Sequence, residues 1–320
     1  MKPSIEDLTP DQVGRFQTDG YLIIPEYLDK ETCTSLLATI NDLLANIPLA
    51  SHPLTKFTTG DSTTSQHVGD EYFLASGDKV RYFFEEAAFS PTGTLLNPAE
   101  KSINKIGHAL HTQVPTFASI SHTGPMGGLN ARIAQQLGFK DPRLLQSMVI
   151  CKQPEIGGAV PPHQDSTFLY TRRPSAVGFW IALEDARKEN GCLSFARGSH
   201  RRVGVSRRFV RKIKPGGQVE GTEFIDVPKE NEDARWPRGI TREEVVDETC
   251  EEDYELGEVE AGSLVLIHGN LLHKSESNLS QKGRMIYTFH VIDGVEDFDE
   301  MNWLQIPGGP EMFTKLEFKN

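Results

Sequence analysis

At 320 residues the chain can bury a large core as one domain or as two, so length alone leaves the domain count open. Its 33 Lys and Arg stand against 45 Asp and Glu, a formal charge of −12, which argues against general binding to nucleic acid or to an anionic membrane. No run approaches the roughly eighteen apolar residues of a membrane span, the opening MKPSIEDLTPDQ has no apolar signal region, and the final Phe318-Lys319-Asn320 is not a Ser-Lys-Leu peroxisomal address. The expected place is the cytoplasm. Cys33, Cys151, Cys192 and Cys250 form no CxxC pair and fit a reducing compartment.

Thr9-Pro10 reads as the N-cap and first position of a helix, Tyr21-Leu-Ile-Ile-Pro25 as a strand, and Asp29 as the cap of a second helix. That helix carries Cys33, Leu36, Leu37, Ile40, Leu43 and Leu44 at helical spacing. Val80–Phe84 reads as another strand, and helices are expected near 99–111 and 126–138, so residues 1–144 are expected to be helix-rich. From about 145 the texture changes to short apolar runs at 147–153, 177–183, 263–268 and 285–292, separated by Gly, Pro, Asn and Ser. This is the pattern of an antiparallel sandwich or jelly roll, mainly β with flanking helices, with its core at about 145–295 of a single domain 1–320. The stretch 219–260 is rich in Glu, Asp and Pro and poor in large apolar residues. It reads as a surface insertion, either a lid or, favoured on loop length, a solvated excursion.

His163 and Asp165 stand at i and i+2, so on an extended strand they share a face and can clasp one ion. Pro161 and Pro162 hold the entry extended, and Gly157-Gly158 allow a turn before it. His273 supplies a third ligand from far downstream. His268 competes for that position but, five residues away, faces the other side of a regular strand. Two imidazoles and one carboxylate suit Fe(II) and leave three positions open for a co-substrate and oxygen, the requirement of an oxygenase. Arg284 follows His273 by eleven residues, enough for a strand to turn and return beside itself. Its planar fork can grip the far carboxylate of 2-oxoglutarate, whose keto acid end chelates the iron, and Ser275 can add a hydroxyl donor. Taken singly, Arg284 would pass for a surface ion pair. His108, His111 and His200 read as structural or surface histidines.

These residues, together with Asn104–His111, Gln146-Ser-Met148, Lys152-Gln-Pro154, Phe168-Leu-Tyr170, Trp180-Ile-Ala, Glu184-Asp-Ala, Glu189–Leu193, Gly198-Ser-His200 and Leu264–Gly269, resemble the phytanoyl-CoA dioxygenase family over nearly the whole chain. The resemblance implies a double-stranded β-helix (cupin-like), Fe(II) on His163, Asp165 and His273, and 2-oxoglutarate on Lys105, Met148, Trp180, Ser275 and Arg284. On physics alone Lys105 would pass for a solvated helix residue, and Met148 and Trp180 for core side chains. Ser194 and Arg197 depart from the family pattern of an aromatic residue and a proline, which implies a different substrate entry. An intact Asp165 speaks against the halogenating branch, where a small residue makes room for halide.

From Arg197 to Lys214 eight Lys and Arg occur without one Asp or Glu. This field would attract an anionic substrate or, equally, form a solvated loop paired with the acidic insertion. The expected function is hydroxylation of an unidentified small molecule, with 2-oxoglutarate and O2 as the other partners. The competing expectation is a catalytically silent metal- and 2-oxoglutarate-binding jelly roll acting as sensor or scaffold. A structural zinc site is weaker, because such sites are four-coordinate and cysteine-rich, and no cysteine flanks these ligands.

Overall fold

The computed structural model describes residues 7–57, 69–243 and 253–317. The first six residues, Cys250 with the rest of 244–252, and Phe318-Lys319-Asn320 lie outside the described residues, so what is said of them above stays an expectation.

Thr9 caps the helix Pro10–Asp19 reciprocally: the Gln12 N–H donates to the Thr9 hydroxyl, and the Gln12 carboxamide accepts from the Thr9 N–H. Gly20, at φ 84°, ends the helix and turns the chain into the strand Tyr21–Ile24. Asp29 caps Lys30–Ala45, which buries Cys33, Leu36, Ile40 and Leu44 along one stripe. A third long helix, Gly124–Gln136, joins these on the outer face of the main sheet.

That sheet runs, in spatial order, Tyr21–Ile24, Leu264–His268, Val177–Ala182, Arg284–Asp293, Pro142–Lys152, Ile103–His108, Val80–Glu85 and Lys56–Phe57, with Thr314–Lys315 also paired to Pro142–Lys152. The pairs are antiparallel except the last of the path, Lys56–Phe57 with Val80–Glu85. A second antiparallel sheet is built from Glu255–Gly257, Leu193–Phe195, His273–Ser275 and Val160–His163. Two such sheets closing on each other make the jelly roll expected from the apolar runs. Alternation along Val177–Ala182 shows how the layers form. Val177, Phe179 and Ile181 join the helix-side core with Leu36 and Ile40, whereas Trp180 and Ala182 join Leu193 and Phe195 of the second sheet. A slip of one residue would exchange the faces, so burial on both sides pins the register.

Three local expectations need correction. The segment 99–111 is no long helix: a short 3-10 turn, Ala99–Lys101, leads into the strand Ile103–His108. Its Ile103 and Ile106 share a face although they stand three apart, because a bulge puts Phe83 opposite Lys105 and Phe84 opposite Ile103, leaving Asn104 as the extra residue. The bulge mimics a helical period. Asp165 does not lie on the strand of His163, which ends at that histidine; it opens a one-turn helix, Asp165–Phe168. The stretch 219–260 is not merely solvated. Val219–Asp226 pairs with Arg207–Ile213 as a hairpin, Phe224 packs on Phe168 and Phe209, and Val227 and Ala234 form a small core with Tyr170 and Val205. Glu255–Gly257 edges the second sheet.

Candidate metal centre

His163 and His273 meet because their strands are antiparallel neighbours in which these two residues stand opposite each other. Their ring centroids are 4.2 Å apart. The helical turn at Asp165 brings its Oδ1 to 3.5 Å from His163 Nε2 and 3.8 Å from His273 Nε2. One ligand atom from each of the three lies within 4.8 Å of the others, close enough to hold one ion. Each imidazole Nδ1 sits 3.0 Å from a backbone carbonyl, Pro161 for His163 and Leu271 for His273. A carbonyl can only accept, so Nδ1 carries the proton and Nε2 turns its lone pair inward, as a metal requires. Burial pushes the Asp165 carboxyl up, but the imidazoles of His273, His290 and His163 outweigh it and hold the group well below the usual carboxylate range. Burial and neighbouring His163 lower His273 to about 4. The donor set is one carboxylate and two imidazoles.

The triad faces a cavity of about 230 Å³ whose floor is the inner face of the main sheet. Its side chains form rows set by the register: Gly178, His290 and Gln146; then Trp180, Thr288 and Met148; then Ala182, Ile286, Ile150 and Lys105. Arg284 and Lys152 close the series. Arg284, 2% exposed, donates to the Gly191 carbonyl at 2.7 Å and lies 5.3 Å from the Trp180 ring centre. Its Nε has no hydrogen-bond partner among the described residues. A guanidinium buried without a carboxylate is costly unless an anion joins it, which argues against the surface ion-pair reading. Burial lowers it to about 10. Ser275 lines the same end of the cavity. The Lys105 ammonium lies 3.3 Å from the Phe57 ring centre and 4.0 Å from the Met148 sulfur. Burial, opposed by Glu85, brings it down to about 7.

Comparison with known proteins agrees with this geometry. The phytanoyl-CoA dioxygenase (PhyH) family model matches residues 16–286. The chain belongs to the phytanoyl-CoA dioxygenase family. It is 42% identical over 302 residues, 93% of this chain and 95% of the relative, to phytanoyl-CoA dioxygenase domain-containing protein 1 of Bos taurus. It is 37% identical to phytanoyl-CoA dioxygenase of Arabidopsis thaliana, over 95% of this chain and 96% of that one. Among solved structures, the epimerase SnoN in complex with Fe3+, alpha ketoglutarate and nogalamycin RO is similar at a TM-score of 0.57 and 16% identity, covering 96% of this chain and 98% of that chain. EctD from S. alaskensis with 2-oxoglutarate and 5-hydroxyectoine is similar at 0.55 and 16%, covering 98% of this chain and 90% of that chain. At such identities the likeness is one of fold.

All eight residues singled out from the sequence of this family member line one cavity: His163, Asp165, His273, Lys105, Met148, Trp180, Ser275 and Arg284. His268 does not. Its ring packs 4.7 Å from that of His200 on the helix side of the sheet, while its neighbour Ile267 faces the cavity. His200 bonds the Gln17 carbonyl and His111 the Ser147 hydroxyl, structural roles as expected. His108 bonds Ser76, the structural role expected of it, and faces the cavity as well. Ser194 and Arg197 are absent from the lining, and Arg197 pairs with Asp19.

The basic run is largely neutralised: Arg201 and Arg202 reach Glu243, Arg208 reaches Asp299 and Lys214 reaches Glu220. Arg207 lies over the Phe224 ring at the cavity wall. His290, Gln146, Lys152 and Glu85 also line the cavity; Gln146 and Lys152 lie in segments that carry the resemblance but are given no role by it, and His290 and Glu85 lie in none. Strand parity from Arg284 points to His290, six residues on and therefore on the same face. Among the described residues, no helix is long and apolar enough to cross a membrane.

Proposed function

We propose that this chain is an Fe(II)- and 2-oxoglutarate-dependent dioxygenase that hydroxylates a small molecule, with His163, Asp165 and His273 as the iron ligands. The convergence of two inward Nε2 lone pairs and one Asp165 oxygen, beside a buried Arg284 whose Nε is unpartnered, carries the reading. Bound iron would couple oxidative decarboxylation of the keto acid by O2, which gives succinate and CO2 and takes up one oxygen atom, to insertion of the other oxygen atom into a substrate C–H bond.

The protein's share is positioning and exclusion of water. Arg284 and Ser275 offer donors to the far carboxylate, and Lys105 offers a cation across the cavity. Met148, Trp180 and Ile267 supply apolar walls beside the chelate. The rings of Phe168, Phe209 and Phe224 line another region of the cavity with Arg207, which suits a substrate with an apolar body. SnoN and EctD, each solved with a keto acid and a further organic ligand, support this division of the pocket by analogy of fold. The cytoplasm remains the compartment we favour, and a single 1–320 domain the organisation.

Anaerobic loading with Fe(II) and 2-oxoglutarate followed by air, with trial substrates, is expected to form succinate. His163→Ala and Asp165→Ala should abolish it while keeping the native circular dichroism spectrum. Uptake of 2-oxoglutarate without any succinate would leave the silent binder instead.

A further inference from the structure

Lys152 has no share in the reading above, yet it is the most constrained cation in the cavity. It stands opposite Arg284 in the register of two adjacent strands, and the two side chains are 3% and 2% exposed. Its ammonium donates to the Ser275 hydroxyl oxygen at 2.7 Å and to the Glu276 carbonyl. The third N–H has no acceptor among the described residues. Two glycines make room for it. A Cβ on Gly157 would stand 2.7 Å from Lys152 Cγ, and one on Gly191 would stand 3.1 Å from its Nζ. Gly191 therefore serves both cations, since its carbonyl accepts from Arg284.

Two like charges buried side by side are unfavourable until an anion joins them. Burial, with Arg284 adding to it, lowers the Lys152 ammonium to about 7, outweighing the opposing carboxylates of Glu85 and Glu276. The bond to Ser275 has a directional consequence. An ammonium is only a donor, so the Ser275 oxygen accepts and its own proton must turn elsewhere, into the cavity that Ser275 lines.

We infer that Lys152 is a positioning residue for the co-substrate: with Arg284 and Ser275 it forms a three-donor seat for the far carboxylate of a keto diacid, and it orients the Ser275 hydroxyl as a donor. This rests on the proposed 2-oxoglutarate site. It predicts discrimination between a diacid and a monoacid of the same chain length, which a merely structural lysine would not produce.

The test is anaerobic calorimetric titration of the full Fe(II)-loaded chain with 2-oxoglutarate and, separately, with 2-oxopentanoate, which lacks the far carboxylate. Lys152→Met should weaken 2-oxoglutarate by about tenfold or more, the worth of one hydrogen bond to a charged group, and leave 2-oxopentanoate unchanged. The melting temperature of the ligand-free variant should change little, because the substitution removes a desolvated ammonium together with its two hydrogen bonds. Lys152→Arg, which keeps charge and donors, should retain some of the preference and serves as the second variant should Lys152→Met fail to fold. Equal weakening of both acids, or no change in either, overturns the inference. Wild-type protein that takes up no 2-oxoglutarate at all sinks the underlying reading, and the inference with it.

Discussion

The two oxygens of Asp165 do different work. Oδ1 faces His163 and His273, whereas Oδ2 lies 3.2 Å from His290 Nε2. A carboxylate accepts only, so His290 carries its proton on Nε2, and its Nδ1 can accept from the Gln146 carboxamide at 3.4 Å. Gly178 leaves room for this contact, since a Cβ there would stand 3.4 Å from both Asp165 Oδ2 and His290 Nε2. Partners of metal-ligating carboxylates set ligand orientation and typically account for about 10–100-fold in affinity. His290→Leu is therefore expected to weaken Fe(II) binding by that factor in a chelator competition, and His290→Gln, which can still donate, should recover most of it. Unchanged affinity in His290→Leu would show that the turn at Asp165 orients the carboxylate unaided. For Arg284→Ala the expected change is a 2-oxoglutarate requirement raised by roughly tenfold to a hundredfold in succinate assays, from the loss of charge-assisted bonds. Normal kinetics in that variant would remove Arg284 from the site.

At the level of elements, the turn Lys188–Asn190 and its end at Gly191 link the two sheets to the cation pair. Gly191 sits at φ 76°, a left-handed conformation, and a Cβ there would come 2.5 Å from the Glu276 carbonyl. Gly191→Ala should cost roughly 1–3 kcal/mol in urea denaturation and weaken 2-oxoglutarate binding as well, because the strain falls on the atoms that hold Lys152 and Arg284. A variant with full stability and full binding would refute this coupling. The same elements mark what is legible in the sequence. Runs such as 177–183 and 285–292 announce strands because burial on both faces leaves a continuous apolar stretch. The ligands are legible because their residue types are uncommon together. Lys105 reads as helical because the bulge at Asn104 imitates a three-residue spacing, and only pairing with Val80–Glu85 and Pro142–Lys152 reveals the strand. The roles of Lys152 and His290 are not legible, because strand parity or a shared segment gives a face and not a partner until neighbouring strands are in register.

For the whole molecule, the helix Pro10–Asp19 docks on the roll through histidines. His200 Nε2 lies 3.1 Å from the Gln17 carbonyl, and the His268 ring packs at a tilt against both His200 and Phe16. Burial holds His268 and His111 down to about 3 and His200 to about 4, against an ordinary value of 6.5. Between those limits the unfolded chain binds protons that the folded chain refuses, so stability falls as pH drops below about 6.5. Each group contributes a slope of about 1.4 kcal/mol per pH unit at most, so the three together can remove several kcal/mol by about pH 5, comparable with the roughly 5–15 kcal/mol of a whole domain. Above neutrality the same logic runs through Lys105 and Lys152, which burial lowers to about 7 from 10.5. The folded, ligand-free chain sheds those protons first, and stability continues to rise with pH through about 7–9. Urea midpoints of the metal-free protein should accordingly climb from about pH 5.5 to about pH 9. His268→Asn, which keeps an acceptor for the Asn270 N–H but cannot titrate, should flatten the acid limb by one group's share. A midpoint level between about pH 5.5 and 7.5 would mean that these imidazoles titrate alike in both states, and the docking of the first helix would then owe nothing to their neutrality.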